Sequence, residues 1–307
     1  MLKASGGEDP LLRWQALWRV AEWRRRRREF AEQRTCLEEL VALGEGTGLP
    51  ELQARALAEL SRCLRNLGEV GAAVETATRA YDLARGNESP SHVLTSALLA
   101  LVSALAESGR VPDAARHADE LLGEVEGQSG TRWAEALWTV ASLRARQGDL
   151  AGAGRLMDRA IHGYDGRDDL TVWMGLRVSA ARRDLREDPP LTESARRRID
   201  EAQSAMPFAG TTAMEQQLLS LRAEVAVQEH RGDDAQALLD QLVGFDDLLS
   251  YQDRIRLDVL RNQVLLMAGE RDRGIAGLRA LAEQAQANGN MDVAAEIWRL
   301  VAESLAG

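Results

Sequence analysis

Residues able to carry out chemistry are sparse in this chain. Its 38 basic residues include one lysine, Lys3, so the other 37 are arginines. A phosphate-binding loop ending in Gly-Lys-Ser/Thr, a Schiff-base enzyme and a Ser-x-x-Lys nucleophile all need a lysine inside the folded chain, whereas Lys3 lies in a predicted tail. The sequence therefore argues against nucleotide hydrolysis of the usual kind and against lysine-based catalysis.

Metal-ligating residue types do not cluster. No two histidines have helical ligand spacing, and neither cysteine has a partner at ligand spacing. The isolated residues are His92, His117, His162, His230, Cys36 and Cys63. We expect solvated or capping histidines, no metal and no cofactor.

Three acidic doublets, Asp168-Asp169, Asp233-Asp234 and Asp246-Asp247, could suggest divalent-ion or paired-carboxylate chemistry. Each stands where a helix is about to begin, so capping of helix amino ends is the simpler interpretation. No nucleophile elbow, dinucleotide fingerprint or Cys-His pairing is present, and Gly44-x-Gly46-x-Gly48 lacks a preceding strand. We expect a protein that is not an enzyme.

The elements that position the remaining residues are predicted to be helices. The chain has 307 residues, 45% of them apolar, 28% charged and 4% aromatic, which favours a folded all-α protein. A net charge of -10 argues against a uniformly basic nucleic-acid-binding surface. No apolar run near Met1 suggests a signal peptide, and no window approaches the roughly 18 apolar residues of a spanning helix. We expect a cytoplasmic location and no contact with a membrane.

A two-helix unit recurs along the chain. Its connecting turn is predicted at Arg28, Gly68, Gly109, Gly148, Glu187, Gly232 and Gly269, with intervals of 40, 41, 39, 39, 45 and 37 residues. A small residue follows most turns, whereas Gln33 takes that place in the first copy; the small residues are Ala73, Ala114, Ala153, Ala195, Ala237 and Gly274. Because one pair cannot bury its own apolar faces, the pairs must stack.

We therefore predict an all-α, right-handed α-solenoid of seven helix pairs and no β-strand. The pairs should span about Asp9 to Asn288, with a capping helix from about Met291 to Leu305. The domain division is a tail at 1–8, either disordered or derived from cloning, and a solenoid at 9–307. The prolines around Glu187 suggest a kink there, and Pro207-Phe-Ala-Gly210 is predicted to be a turn between repeats.

This pattern resembles the tetratricopeptide family, with a Gly-Asp-like turn and small residues in the second helix. The longer period is similar to that of the sensor regions of bacterial helix-turn-helix regulators, including the peptide-binding RRNPP group. More narrowly, four segments look like the C-terminal region of XRE-type regulators of high-GC bacteria, and the likeness covers about 9–306. The segments are Ala54–Glu69, Ala134–Asp149, Asp168–Arg177 and Asn288–Leu305.

Such a regulator carries a helix-turn-helix before its repeats, whereas the first predicted helix here begins near Asp9. The chain is then either an excised sensor region or a stand-alone repeat protein. The resemblance implies DNA contact only through a domain absent from this chain. The run Arg24–Arg28 could contact phosphate, but consecutive residues spread around a helix, so a solvated helix end is the simpler interpretation.

The first helices of stacked pairs should line a concave groove. If Leu57, Leu60, Ser61 and Leu64 are packed, a fixed set of residues faces inward, among them nine arginines and four glutamates, a net charge of +5. The set is Gln15, Trp18, Glu22, Arg25, Arg26, Arg55, Arg62, Arg65, Asn66, Ser96, Ser103, Glu107, Glu135, Trp138, Ser142, Arg146, Thr171, Met174, Arg182, Arg222, Glu229, His230, Arg256 and Gln263. The alternative is that the register is off by one and some of these residues are packed.

A groove of this charge suggests a peptide or a small acidic ligand. The predicted ligand-binding residues are Arg55, Arg62, Arg65, Asn66, Trp138, Arg146 and Trp18. Arg55, Arg62 and Arg65 lie within about 60° of one another on a helix, so they are expected to converge on one carboxylate. Asn66 would then hold a peptide backbone and Trp138 an apolar side chain.

The C-terminal helix has an apolar arc wide for a simple cap, which predicts a homodimer through Val293, Ile297 and Leu300. A wider contact with the preceding helix is the alternative interpretation. The sequence thus predicts a ligand- or peptide-sensing, dimerising repeat domain of a bacterial transcription regulator. The second hypothesis is a constitutive protein–protein interaction scaffold without a switch.

Overall fold

The computed structural model describes residues 9–87, 89–243 and 249–306, and all of its regular elements there are α-helices. The helices are α1 (Pro10–Arg26), α2 (Phe30–Thr47), α3 (Pro50–Leu67), α4 (Val70–Gly86), α5 (Ser91–Glu107), α6 (Val111–Glu124), α7 (Thr131–Arg146), α8 (Leu150–Gly163), α9 (Leu170–Asp184), α10 (Thr192–Ala209), α11 (Thr212–Gln228), α12 (Gly232–Asp240), α13 (Tyr251–Met267), α14 (Arg271–Ala287) and α15 (Met291–Ala306). The prediction of seven pairs and a final helix, without strands, is confirmed for the described residues. The predicted tail at 1–8 and the doublet Asp246-Asp247 lie outside them.

The helix ends follow local chemistry. Asp9 caps α1 by accepting a hydrogen bond from the Leu11 N–H at 3.0 Å, with Pro10 in the first turn. Asp169 caps α9 by accepting from the Thr171 N–H at 2.8 Å, as the doublet predicted. Gly68 ends α3 in the left-handed conformation at φ 86°, which glycine adopts without steric cost. Pro207, predicted in a turn, lies inside α10, which continues to Ala209.

A small residue at one fixed position lets the two helices of a pair approach. The fourth residue of each second helix is buried against its partner helix, and the set is Gln33, Ala73, Ala114, Ala153, Ala195, Ala235 and Gly274. At Gly274 the approach is close, since a Cβ there would lie 2.7 Å from the Leu266 side chain. Close packing at this position therefore sets the spacing of each pair.

The sixth turn lies earlier than predicted. Residues Glu229 to Arg231 connect α11 to α12, and His230, at φ 57°, occupies the left-handed position that Gly68 holds in the second repeat. Gly232 instead begins α12, and the buried small residue is Ala235 rather than Ala237. With the turn at His230, the interval after Glu187 falls from 45 to 43 residues and the next interval, to Gly269, rises from 37 to 39, so the spacing is more regular. The prediction was wrong here because it took Gly232 as the turn residue, whereas His230 makes the turn.

The pairs stack in two layers. Consecutive odd-numbered helices pack against each other from α3 through α13. Each even-numbered helix packs chiefly against the two odd-numbered helices that flank it. The odd-numbered helices therefore form the inner row of a solenoid, and the face they turn away from the even-numbered helices is the inner face. No described helix combines the length and apolarity that crossing a bilayer requires.

Candidate interaction site on the inner face

The solenoid closes on itself. The inner row curves so that α13 contacts α3 and α15 contacts α5, five repeats earlier in each case. At these places the ring of Tyr251 lies against Gly68, where a Cβ would come within 2.7 Å of it, and Met291 lies against Gly109, with 3.1 Å to a Cβ placed there. The amino ends of α13 and α15 thus meet the carboxyl ends of earlier inner helices. This interface, with the ion pairs described next, is the closing contact.

Asp253, in the first turn of α13, is the centre of the closing contact. Its Oδ2 accepts hydrogen bonds from the Arg28 guanidinium at 3.0 Å and from the Ser250 hydroxyl at 2.8 Å. Two further guanidinium groups, from Arg182 and Arg256, lie 3.5 and 3.6 Å from Oδ1. Burial alone would raise the pKa of Asp253, but Arg182, Arg256 and Arg28 outweigh it and hold the pKa well below its usual range. Asp253 is therefore an ionised buried carboxylate that joins three arginines.

A second buried carboxylate, Glu107, ends α5 beside the closing contact. Burial would raise its pKa, but the Arg65 guanidinium, which pairs with it, lowers the pKa overall, with smaller effects from Arg146 and Gln252. Arg146, the last residue of α7, donates from Nε to Asp292 Oδ2 of α15 at 2.7 Å. Arg65 and Arg146 are thereby engaged by groups of the chain itself.

The closing contact continues beyond α9. Arg186 donates to Glu296 of α15 at 3.0 Å, one helical turn beyond Asp292. Arg182 lies near Arg256, and Asp253 offsets only part of the positive charge of the two arginines. Burial, followed by repulsion from Arg256, lowers the pKa of Arg182 to about 10. Glu224 of α11 lies in the same interior, and burial raises its pKa against the pull of Arg186 and Arg182. The carboxyl ends of the inner helices are thus strongly basic.

The opposite end of the inner face is not covered by α13 or α15. Arg55, near the amino end of α3, stacks on Trp18 and Trp14, with its guanidinium carbon 4.8 and 5.2 Å from the two ring centroids. The tryptophan rings are stacked on each other at 5.0 Å. Burial and then repulsion from Arg132 lower the pKa of Arg55, and neither arginine has an ion-pair partner among the described residues.

His92, in the first turn of α5, belongs to the same end. It is exposed, and burial of part of the ring, followed by repulsion from Arg132 and Arg55, lowers its pKa. We call the surface formed by Trp18, Arg55, His92 and Arg132 the amino-end mouth. It presents cations beside the half-buried ring of Trp18, and neither arginine forms an ion pair among the described residues, an arrangement that suits an acidic peptide.

The predicted ligand-binding residues divide between the two ends. Trp18 and Arg55 lie in the amino-end mouth. Arg65 and Arg146 lie in the closing contact, and Asn66 lies in the last turn of α3. Arg62 is between them, 3.4 Å from Glu59, and Trp138 is half-buried, with its ring packed against Gly175 of α9.

The three arginines of α3 were expected to converge on one carboxylate, but in the structure they do not point to one place. Each has a different partner: Arg55 has the tryptophans, Arg62 has Glu59 and Arg65 has Glu107. At about 100° per residue the three positions span about 80° rather than 60°, and long side chains turn toward whichever partner is near. The inward register also fails at Met174, which is fully buried in the core.

No family model matches this sequence, and no curated protein matches it. Among solved structures, the chain resembles a tetratricopeptide repeat protein from Parabacteroides merdae ATCC 43184. The two share 18% sequence identity and superpose with a TM-score of 0.48, over 94% of this chain and 98% of that chain. The solenoid fold rests on the helix packing of this chain itself.

The residues predicted to form a dimer interface differ in exposure. Ile297 is 2% exposed and packs in the chain's own core with Ile275 and Leu278, whereas Val293 and Leu300 are half-buried beside it. The exposed large apolar residues of α15 are Met291, Trp298 and Leu305. Packing on α14 therefore buries Ile297, the central residue of the predicted interface, and leaves other apolar residues of α15 at the surface.

Other groups noted in the sequence have structural partners. In the arginine run, Arg24 pairs with Glu29, and Arg27 pairs with the same carboxylate at 2.6 Å. Burial raises the pKa of the Cys63 thiol to about 12, so this thiol is protonated and unreactive at neutral pH. Among the described residues, no three His, Cys, Asp or Glu side chains form a group that could hold a metal ion.

Sequence reasoning missed several residues of both ends. Asp253, Asp292 and Glu296 lie far along the chain from the arginines they contact, and no local pattern marks them. Arg132 and His92 could have been found, since each lies in the first turn of an inner helix, equivalent to the neighbourhood of Arg55.

Proposed function

We propose that this chain is a binding scaffold, without catalysis, that holds an extended acidic peptide in the amino-end mouth. One observation carries the proposal: Arg55 and Arg132 are close enough to repel each other, and neither forms an ion pair with a described carboxylate, although Glu22, Glu51 and Glu59 attract Arg55 from a distance. A peptide carboxylate between them would relieve that repulsion. Trp18 offers an apolar surface beside them for an adjoining side chain.

The experiment is isothermal titration with an extended glutamate-rich heptapeptide and its glutamine counterpart. Arg55→Gln and Arg132→Gln should each weaken binding of the acidic peptide about tenfold or more, since a charge-assisted bond contributes about 1.5 to 3 kcal/mol. Arg79→Gln is the matched control, because Arg79 is an exposed arginine of the outer helix α4. Affinity should also fall as salt rises. Equal binding of the two peptides, or no loss in either variant, would contradict the proposal.

We also propose that the scaffold is the ligand-sensing region of a bacterial transcription regulator in the cytoplasm. The resemblance to XRE-type regulators supports this function. The closing contact supports it as well, because it gives the solenoid an interface whose geometry a ligand could change. A coding sequence for a helix-turn-helix, contiguous with this one upstream of Met1, is the expected finding.

A constitutive scaffold is the alternative. The two hypotheses differ in whether the peptide alters the solenoid. Small-angle scattering of the chain with and without a bound peptide should show a change in the radius of gyration for a sensor and none for a scaffold.

We propose that the chain forms a homodimer through α15. The exposed side chains of Trp298 and Leu305 support this, with Val293 and Leu300 at the edge of the contact. Light scattering should give twice the 33.7 kDa chain mass at tens of micromolar. Trp298→Arg should return the chain to a monomer, whereas a monomeric parent would exclude the dimer.

A further inference from the structure

The carboxyl ends of the inner helices form a basic rim. The arginines of this carboxyl-end rim are Arg28, Arg65, Arg146, Arg182 and Arg186. The first five repeats contribute one carboxylate to the closing contact, Glu107, which pairs with Arg65. The carboxylates that pair with Arg146, Arg182 and Arg186 there come instead from α13 and α15. Without these two helices, Arg146 and Arg186 would lose their ion-pair partners, and the nearby carboxylates Glu107 and Glu224 would offset only part of the rim's positive charge.

The way α15 meets this rim defines the chemistry of an occupant. Asp292 and Glu296 are four residues apart and so lie on one face of α15. They reach Arg146, at the end of α7, and Arg186, just beyond the end of α9. Since α7 and α9 are neighbours in the inner row, one helix bridges two inner helices through carboxylates one turn apart. An acidic helix is therefore the shape and charge that the rim accepts.

The contact between α15 and the rim is separable from the core. Most of the apolar face of α15 packs on α14, where Ile297 and Val301 share a cluster with Ile275 and Leu278, and Met291 alone contacts Gly109 beside the rim. The Arg186–Glu296 pair keeps 46% and 38% of its side-chain surface exposed. Arg146 and Asp292 keep 18% and 23%. Water and salt compete strongly with the exposed Arg186–Glu296 pair and less with the more buried Arg146–Asp292 pair, and neither pair belongs to the apolar packing that holds α15 on α14.

We propose that the carboxyl-end rim is a second interaction surface, specific for an acidic α-helix of a partner protein with carboxylates four residues apart. The chain's own α15 occupies this surface in the closed state, and a partner helix replaces it at Arg146 and Arg186. The proposal rests on contacts within the chain and is independent of the peptide at the amino-end mouth.

The first measurement tests whether charge holds the rim closed. Small-angle scattering should show a larger radius of gyration for the full chain in 1 M than in 50 mM NaCl. Asp292→Asn with Glu296→Gln should already be expanded at low salt. Glu303→Gln is the matched control, because Glu303 lies on α15 but pairs with Arg299 at 2.6 Å, away from the rim. Circular dichroism checks that helix content is unchanged.

The second measurement tests the partner chemistry. The probe is a labelled peptide with the sequence of residues 291–306, compared with a peptide that carries Asn and Gln at the two acidic positions. The acidic peptide should bind the full chain carrying Asp292→Asn and Glu296→Gln, and the neutral peptide should not. The parent chain should bind the acidic peptide about tenfold more weakly or worse, because its tethered helix competes at high effective concentration.

The residues of the surface are tested in the same opened chain. Adding Arg146→Gln and Arg186→Gln should abolish binding of the acidic peptide, whereas Arg55→Gln in the amino-end mouth should leave it unchanged. Equal binding of both peptides, or binding that survives loss of Arg146 and Arg186, would overturn the surface. Binding to the parent chain as tight as to the opened chain would overturn its occupation by α15.

Discussion

At the scale of single residues, Asp253 concentrates the electrostatics of the molecule. One carboxylate faces three arginines from three different places in the chain, and it is 9% exposed. Removing it would take away the carboxylate that Arg28, Arg182 and Arg256 share and leave the repulsion between Arg182 and Arg256, which is more costly than losing the attraction itself. Stability should therefore depend on the ionisation of this one group.

We predict that Asp253→Asn lowers the free energy of unfolding at pH 7 by about 3 kcal/mol. Because the folded state depresses the pKa of Asp253, its contribution is present above the unfolded pKa of about 3.9 and is lost as the pH falls below it. The variant should therefore lose less stability than the parent between pH 5 and pH 3. Urea unfolding across this range measures both effects, and Asp82→Asn, an exposed carboxylate of α4, is the control.

Substitutions at two glycines can distinguish the cost of a left-handed backbone from the cost of disturbing the closing contact. Gly68 and Gly148 have nearly the same conformation, at φ 86° and 81°, but only Gly68 is covered, by the ring of Tyr251. Gly148→Ala should cost about 1 kcal/mol from the left-handed backbone alone. Gly68→Ala should cost clearly more, because its Cβ would lie 2.7 Å from that ring. Equal losses in thermal unfolding would mean that Tyr251 does not pack there.

At the scale of elements, one rule governs each helix pair: the fourth residue of the second helix is buried and small in all repeats but the first. In α8 this residue is Ala153, which is 1% exposed. Ala153→Leu should destabilise the chain by about 1 to 3 kcal/mol, since extra methylenes in a packed contact force neighbours apart. Ala151→Leu, two residues earlier and exposed, should change stability little. Chemical denaturation of both variants measures the difference.

The element scale also shows where a motif fails. The turn after α11 is made by His230 in a left-handed conformation, so a search for glycine placed the turn at Gly232. The pair still forms because Ala235 keeps the small contact four residues into the helix. Packing of the pair, rather than the identity of the turn residue, fixes the repeat.

At the scale of the whole molecule, we expect that an engineered disulfide can hold the closing contact shut. A Cβ on Gly109 would lie 3.1 Å from the Met291 Cβ, close to the about 3.5 to 4.5 Å of a disulfide. We predict that Gly109→Cys with Met291→Cys forms a disulfide under oxidation and then keeps the same radius of gyration in high and low salt. The reduced form should expand with salt as the parent does. A chain that cannot be cross-linked would show that α15 does not lie against α5.

The oxidised chain should also resist unfolding. The disulfide would close a long loop, so the unfolded state loses about 5 kcal/mol of chain entropy, less about 1 kcal/mol for the cysteine at the left-handed position 109. Thermal unfolding with and without reductant compares the two forms of one protein.

The sequence by itself determined the helices, their pairing and the final helix, because helical periodicity and small residues at a fixed position act between neighbours in the chain. It also marked Trp18, Arg55, Arg65 and Arg146 as an inner row. The tertiary structure decided what those residues meet. Superhelix curvature sums small rotations over five repeats, so no local pattern encodes that α13 returns to α3 or that Asp292 reaches Arg146. The basic inner face predicts an acidic partner, and part of that partner is the chain itself. Only the closure of the solenoid brings the carboxylates of α13 and α15 to these arginines.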